Sequence, residues 1–270
     1  SKVIAVLSAM SGETDRLINL TKSFSKNPNP IDFDNAISSG ENVSCALMSI
    51  CLNNQKIKAK SLLSWQIPII TSSEHMKSRI LSINKKFLYD ELENFDVLLI
   101  PGFQGINNKG ELTTLGRGGS DTSAVAVAAA METECIIYTD VEGVFTTDPH
   151  IEPKAKKINK ISYEEMLELA SQGAKVLQTR SVELAMRKNT KLSVRSSFKP
   201  KKIGTMITDE KSVLENNTVS GITYSKDEAK ITLSRVQDKP GVSSKIFGPL
   251  AKGNINVDMI LQNVSQDGKF

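Results

Sequence analysis

Five short apolar or β-branched runs, at residues 2–8, 57–62, 96–100, 135–139 and 191–195, are separated by stretches with helical spacing. This alternation constrains the fold more than any other feature, because it predicts βαβ units and hence an α/β protein with a mostly parallel sheet. In such a sheet ligands sit beyond the carboxyl ends of the strands. Within the helical stretches, residues 41–55 place Val43, Ala46, Leu47, Ile50 and Cys51 on one face. Ser162 lies three residues before Glu165 as in a capping box, and Gly173 offers a C-terminal stop. A chain of 270 residues accommodates one large domain or two. Residues 199–212 carry Pro200, Gly204 and a lysine cluster and read as a linker; Asn216 and Asn217 then precede fresh β runs at 218–224 and 229–236. The expected domains are therefore 1–212 and 217–270.

Composition removes several classes. Hydrophobic residues at 39% and charged residues at 24% exclude a disordered, collagenous or coiled-coil chain. The longest apolar run, residues 124–131, is far shorter than the ~20 residues of a spanning helix, so no membrane partner is expected. A net charge of +4 with 5% aromatics gives no polybasic or stacking surface for nucleic acid, which leaves small-molecule chemistry. Cys45, Cys51 and Cys135 show no metal spacing and read as reduced core residues of a cytoplasmic protein. The first residues have no signal-peptide character, and the chain reads as beginning and stopping inside domains. His75 and His150 share no spacing with each other or with cysteines, so structural roles are expected and no metal ligand set is identified. Walker-A, protein-kinase and GxSxG patterns are absent.

The densest chemical signal is TTLGRGGSDTSAVAVAAAM, residues 113–131. Its glycines let backbone amides converge, the following helix adds its positive N-terminus, and Arg117 adds a bidentate fork, a set suited to phosphate or carboxylate. An ordinary tight turn capped by Ser120 or Asp121 is the alternative; the arginine favours binding. In CIIYTDVEGVFTTDPH, residues 135–150, a strand ends at Thr139 and Asp140, which puts a hydroxyl and a carboxylate where a ribose or base could be held. Hydrophilic turns account for that segment equally simply. SAMSGET (residues 8–14) closes the first strand and SSGE (38–41) opens a helix; Glu41 could bind an ammonium with Thr14 beside it, although each is also a routine cap residue.

Taken together, SAMSGETD, SSGENVS, GFQG, TTLGRGGSDTSA, YTDVEGVFTTDP, ISYEEMLELASQGAKVLQ and VRSSF follow the order found in aspartokinases of the amino acid kinase superfamily, which the chain resembles over its whole length. Residues 219–265 resemble the first ACT regulatory domain of that family. The resemblance implies a three-layer α/β/α sandwich followed by a partial ACT domain of ferredoxin-like α+β type. It implies transfer of phosphate from MgATP to the side-chain carboxylate of L-aspartate, giving 4-phospho-L-aspartate, the first step towards lysine, threonine and methionine. Thr14, Glu41, Arg117 and Asp121 match its aspartate site and organising groups, with Arg117 on the α-carboxylate and Glu41 on the ammonium. Gly118, Gly119 and Ser120 match the phosphate-facing loop, and Thr139, Asp140 and Lys175 the nucleotide site. In the ACT segment, with a strand at 230–236, a helix at 240–252 and a strand from 255, the effector would be lysine, alone or with threonine. It would meet Asp238, Gly241, Asn256, Asp258 and Gln262, and ACT pairing implies a homo-oligomer. Three departures stand out. The family's opening Lys-Phe-Gly-Gly-Thr-Ser motif does not occur, so weak catalysis is expected; Phe145 and His150 replace a tyrosine and an arginine common in relatives; and Gln178, Thr179 and Arg180 lack the usual proline and are assigned no role. A glutamate or acetylglutamate kinase, or a catalytically silent amino-acid sensor, are the rival readings.

Overall fold

The computed structural model of the chain describes residues 2–67, 69–174, 176–209, 221–223, 231–233, 236, 239–253, 257 and 260. Two compact units are present, Ser1–Ser225 and Lys226–Phe270. The first begins with β1 (Val3–Leu7), α1 (Glu13–Phe24), α2 (Pro30–Ile37), α3 (Ser39–Asn54), β2 (Ala59–Ser61), β3 (Ile69–Thr71), β4 (Ile80–Ile83) and α4 (Lys85–Asn94). It continues through β5 (Val97–Pro101), β6 (Gln104–Ile106), β7 (Leu112–Thr114), α5 (Gly119–Ala130), β8 (Cys135–Thr139), β9 (Lys160–Ser162), α6 (Tyr163–Ser171), α7 (Thr179–Lys188), β10 (Leu192–Ser196) and β11 (Thr205–Thr208).

The strands form three sheets ordered β1-β5-β2, β8-β10-β11-β9 and β4-β3-β6-β7. The first is wholly parallel, and β8 with β10 is parallel in the second. Side-chain alternation along β5 sorts the layers. Val97 and Leu99 pack with Cys45 and Leu52 of α3, whereas Leu98 and Ile100 pack with Phe87 and Leu88 of α4, Val127 of α5 and Met131 at its C-cap. Helices therefore cover both faces, as the α/β/α expectation requires. The apolar run at 124–131 is explained by α5, which is buried all round. Val127 joins the core of the first sheet, while Val125 and Ala128 join the core that α6 and α7 build on β8 and β10. At the start of α6 the capping box forms, with the Glu165 backbone N–H donating to Ser162 Oγ at 3.1 Å and the Ser162 N–H donating to Glu165 Oε2 at 3.0 Å.

Several expectations need correction. The face of α3 carrying Val43, Ala46, Leu47, Ile50 and Cys51 is exposed, with Ile50 at 67%. Its packed face instead holds Gly40, Glu41, Cys45 and Ser49, small side chains that let the helix lie close on the sheet. Cys51 is consequently not a core residue, although all three cysteines are free. Part of the expected linker is the strand β11, antiparallel to β10, with Thr205 and Ile207 inward and Met206 outward. Neither Ser120 nor Asp121 caps α5, whose N-cap is Gly118 with no side-chain hydrogen bond. Residues 221–223 bond within the first unit: Ile222 N–H donates to Thr146 O at 2.7 Å and Thr223 Oγ1 to Gln172 O at 3.0 Å. In the second unit α8 (Val242–Lys252) follows Gly241, which adopts φ 87° at its N-cap. Residues 231–233 have no strand pairing, and the other expected ACT strand positions lie largely outside the described residues. No described helix is long and apolar enough to cross a membrane.

Candidate functional site

Three of the motifs meet at the carboxyl edge of the first sheet. Gly102 N–H, just beyond β5, donates to Leu7 O at the end of β1, at 2.9 Å. From the GFQG turn, Phe103 N–H donates to Ser123 Oγ of α5 at 3.1 Å and Gln104 Nε2 to Ser38 O at the start of α3 at 2.9 Å. Phe103 itself holds φ 69°, a left-handed conformation that costs a bulky residue on the order of 1 to 3 kcal/mol and tends to persist at ligand sites. The GFQG spelling was visible in the sequence, but no side-chain pattern there marked Phe103.

Glu41 lies in the first turn of α3 and is only 3% exposed. It reaches the end of β1 because Gly40 has no side chain: a Cβ there would stand 2.8 Å from Ala9 Cβ. Ala9 N–H donates to Glu41 Oε1 at 3.2 Å, while Oε2 is buried without a hydrogen-bond partner among the described residues. Burial pushes the Glu41 carboxyl up to about 7, opposed in part by its own backbone N–H and that of Ala9. Thr14 stands in the first turn of α1, half-buried, and its hydroxyl has no partner among the described residues. The same close approach of Gly40 that meets Ala9 also meets the Glu13 side chain, so Thr14 and Glu41 belong to one end of the sheet.

Arg117 is exposed and pairs with no described residue. The loop around it is held from the other side by the segment entering α7. Gly118 adopts φ 67°, and a Cβ on it would fall 1.6 Å from Gln178 Cγ. The Asp121 carboxyl is pushed up by burial, with the Gln178 backbone N–H opposing the shift. Gly119 and Ser120 open α5 beside Asp121. Arg117, Gly118, Gly119, Ser120 and Asp121 thus share one loop and helix start, adjoining the Phe103 turn.

Thr139 ends β8, donating from Oγ1 to Asp140 Oδ1 at 2.9 Å and accepting at its carbonyl from the Ser197 N–H at 2.8 Å and Oγ at 3.0 Å. This second group lies at the carboxyl edge of the other parallel pair, β8 and β10. Phe145 bridges to Lys157 and is half-buried, and His150 is exposed beside Asp148. His75 Nδ1 is hydrogen-bonded to Asp34 Oδ2 at 2.8 Å, a structural placement. Lys175, Asp238, Asn256, Asp258 and Gln262 lie outside the described residues. Among the described residues no cluster of His, Cys, Asp or Glu side chains is arranged to hold a metal ion.

The sequence profile of the amino acid kinase family matches residues 1–196, and that of the ACT domain matches residues 231–270. The aspartate kinase of Pseudomonas putida is 49% identical over 267 residues, covering 98% of this chain and 65% of that protein. The aspartokinase of Helicobacter pylori is 50% identical over 273 residues, covering 99% of this chain and 67% of that protein. Among solved structures, Escherichia coli aspartokinase III in complex with aspartate and ADP superposes with a TM-score of 0.67 at 26% identity, covering 92% of this chain and 57% of that one. The chain spans about two thirds of the length of the curated relatives it matches.

Proposed function

Because the chain belongs to the amino acid kinase family and, within it, to the aspartokinases, we propose that it transfers the γ-phosphoryl group of ATP to the side-chain carboxylate of L-aspartate. The observation that carries the reading is the buried Glu41 Oε2, an acceptor kept from water with no hydrogen-bond partner among the described residues. A substrate ammonium supplies the missing donor and holds the carboxylate ionised. Arg117, exposed and without a partner among the described residues, takes the α-carboxylate in a bidentate grip. Thr14 and Asp121 complete the clamp, leaving the β-carboxylate free to face the nucleotide. That carboxylate is already anionic, so the attack requires no general base: its oxygen bonds to the γ-phosphorus as the bond to the bridging oxygen breaks, and ADP leaves. In this reading the backbone of Gly118, Gly119 and Ser120, at the N-terminus of α5, faces the developing charge. Thr139 and Asp140 serve the nucleotide from the edge of the second sheet, and Lys175, by the family resemblance, is the partner of its phosphates. Magnesium, when bound with ATP, would neutralise phosphate charge. Lysine, alone or with threonine, acts as effector at the ACT segment around Asp238, Gly241, Asn256, Asp258 and Gln262. ACT pairing makes a homo-oligomer, and the need for ATP places the enzyme in the cytoplasm.

Calorimetric titration with L-aspartate, L-glutamate and N-acetyl-L-glutamate tests the reading. Binding of L-aspartate that Arg117→Ala weakens by about 2 kcal/mol or more is the expected result, accompanied by aspartate-dependent ADP release. Equal binding of N-acetyl-L-glutamate, which has no ammonium, would refute the role given to Glu41.

A further inference from the structure

The geometry points to Arg180 as the positioning residue of the Arg117 clamp, an inference that rests on the aspartate reading above. Arg180 is the second residue of α7, and its guanidinium forks between two backbone carbonyls: Nη1 donates to Leu115 O at 3.0 Å and Nη2 to Ser78 O at 2.8 Å. Leu115 stands two residues before Arg117. The Ser78 strip is tied to the same strand end, with its N–H and its Oγ both donating to Thr114 O at 2.9 Å. Leu115 N–H in turn donates to Phe103 O at 2.8 Å. Both peptide groups flanking the base of the loop are therefore fixed, and one arginine side chain supplies the last bond.

The placement is unusual for a surface arginine. Arg180 has no carboxylate partner among the described residues, and nearby Glu183 is paired with Arg187. Burial pushes the Arg180 pKa below the usual arginine range, with Arg79 adding to the shift and Glu183 opposing it. A partly buried cation held, among the described residues, by two carbonyls is suited to its place by geometry, since two carbonyls at fixed separation match a planar fork and not a point charge. The contacts of its own segment reinforce this: Gln178, two residues earlier, fills the space beside Gly118 and offers its N–H to Asp121. Residues 178 and 180 thus grip the loop on both sides of Arg117, leaving the Arg117 side chain as the part free to meet a ligand.

The full chain is tested with Arg180→Ala and Arg180→Lys, by hydrogen exchange of the 113–122 segment and by calorimetry with L-aspartate and, separately, a non-hydrolysable ATP analogue with magnesium. In Arg180→Ala the 113–122 amides should exchange at least about tenfold faster while those of β8 and β10 keep their protection. Aspartate affinity should fall about tenfold or more and nucleotide affinity less than about threefold, with Arg180→Lys intermediate. In an Arg117→Ala background the same substitution should cost no further aspartate affinity, because both act through one grip. Unchanged exchange of the loop, or equal losses for both ligands, would overturn the inference. A wild-type chain that binds no aspartate would overturn the functional reading instead, and the loop's exchange rates would still decide whether Arg180 anchors it.

Discussion

If Glu41 receives the substrate ammonium, aspartate affinity must follow the ionisation of a carboxyl raised to about 7. Only the ionised form accepts from the ammonium without surrendering a proton. At pH 6 about a tenth of the sites are ionised and at pH 8 about nine tenths, so affinity should weaken about tenfold, or about 1.4 kcal/mol, between pH 8 and pH 6. Binding at pH 6 should release close to one proton per site, which calorimetry reads by repeating the titration in buffers of different ionisation enthalpy. Glu41→Gln should remove both the affinity and the proton release. Affinity that stays flat from pH 6 to pH 8 in the wild type, with no proton release, would refute the reasoning.

The same group fixes a stability trend, and its sign is opposite to that of a salt-bridged carboxylate. Folding raises the Glu41 pKa from 4.5 to about 7, so the native state binds the proton more tightly than the unfolded chain. The stability this group contributes is greatest below pH 4.5 and declines as pH rises to about 7, above which that contribution is lost. The gap corresponds to about 3 kcal/mol at about 1.4 kcal/mol for each pKa unit. Glu41→Gln, which cannot ionise, should therefore be more stable than wild type at pH 8 by up to that amount in urea unfolding, and no more stable at pH 4.

Arg117→Ala should leave the melting temperature nearly unchanged, since the exposed side chain bonds to no described residue, yet weaken aspartate binding by about 2 kcal/mol or more. Asp34→Asn should destabilise the chain by about 3 to 5 kcal/mol in urea unfolding. The buried Asp34 carboxylate accepts from Thr114 Oγ1 at 2.6 Å, from the Thr114 and Met76 N–H groups at 3.1 Å each, and bonds the His75 ring, and an amide nitrogen would face those donors. Ser162→Ala should cost about 1 kcal/mol by opening the capping box of α6, read as a lower urea midpoint with an unchanged slope.

Where sequence and structure agree, a strong local rule was at work. The run at 135–139 is a strand with those bounds because a β-branched, apolar core is flanked by turn residues, and Ser162 with Glu165 spelled the cap they form. Strand β11 was hidden because its four residues alternate inside a Lys- and Gly-rich stretch, and composition outweighed a pattern too short to register. The α3 face was misplaced for a different reason. Period 3.6 identifies an apolar stripe but not which side is inward, and here the small residues Gly40, Cys45 and Ser49 won the close approach to the sheet. The pairing of Arg180 with Leu115 and Ser78 joins positions 65 and 102 residues apart, and no spacing rule reaches so far.

The inverted helix α3, with a carboxylate inside and leucine and isoleucine outside, implies that ligand and pH act on stability together. A burial cost of about 3 kcal/mol is a sizeable part of the 5 to 15 kcal/mol that typically holds a domain folded. If the substrate ammonium relieves it, the stabilisation by aspartate should itself depend on pH. With aspartate at about ten times its pH 8 dissociation constant, stabilisation at pH 8 is about 1.4 kcal/mol; the tenfold weaker affinity at pH 6 reduces it to about 0.4 kcal/mol. Thermal melts at both pH values, with and without that aspartate concentration, measure the difference of about 1 kcal/mol directly. In Glu41→Gln the aspartate-induced shift should vanish at both. An equal shift at pH 6 and pH 8 in the wild type would mean that the ammonium is bound by a group other than Glu41, and that the orphaned oxygen belongs to the cost of the fold alone.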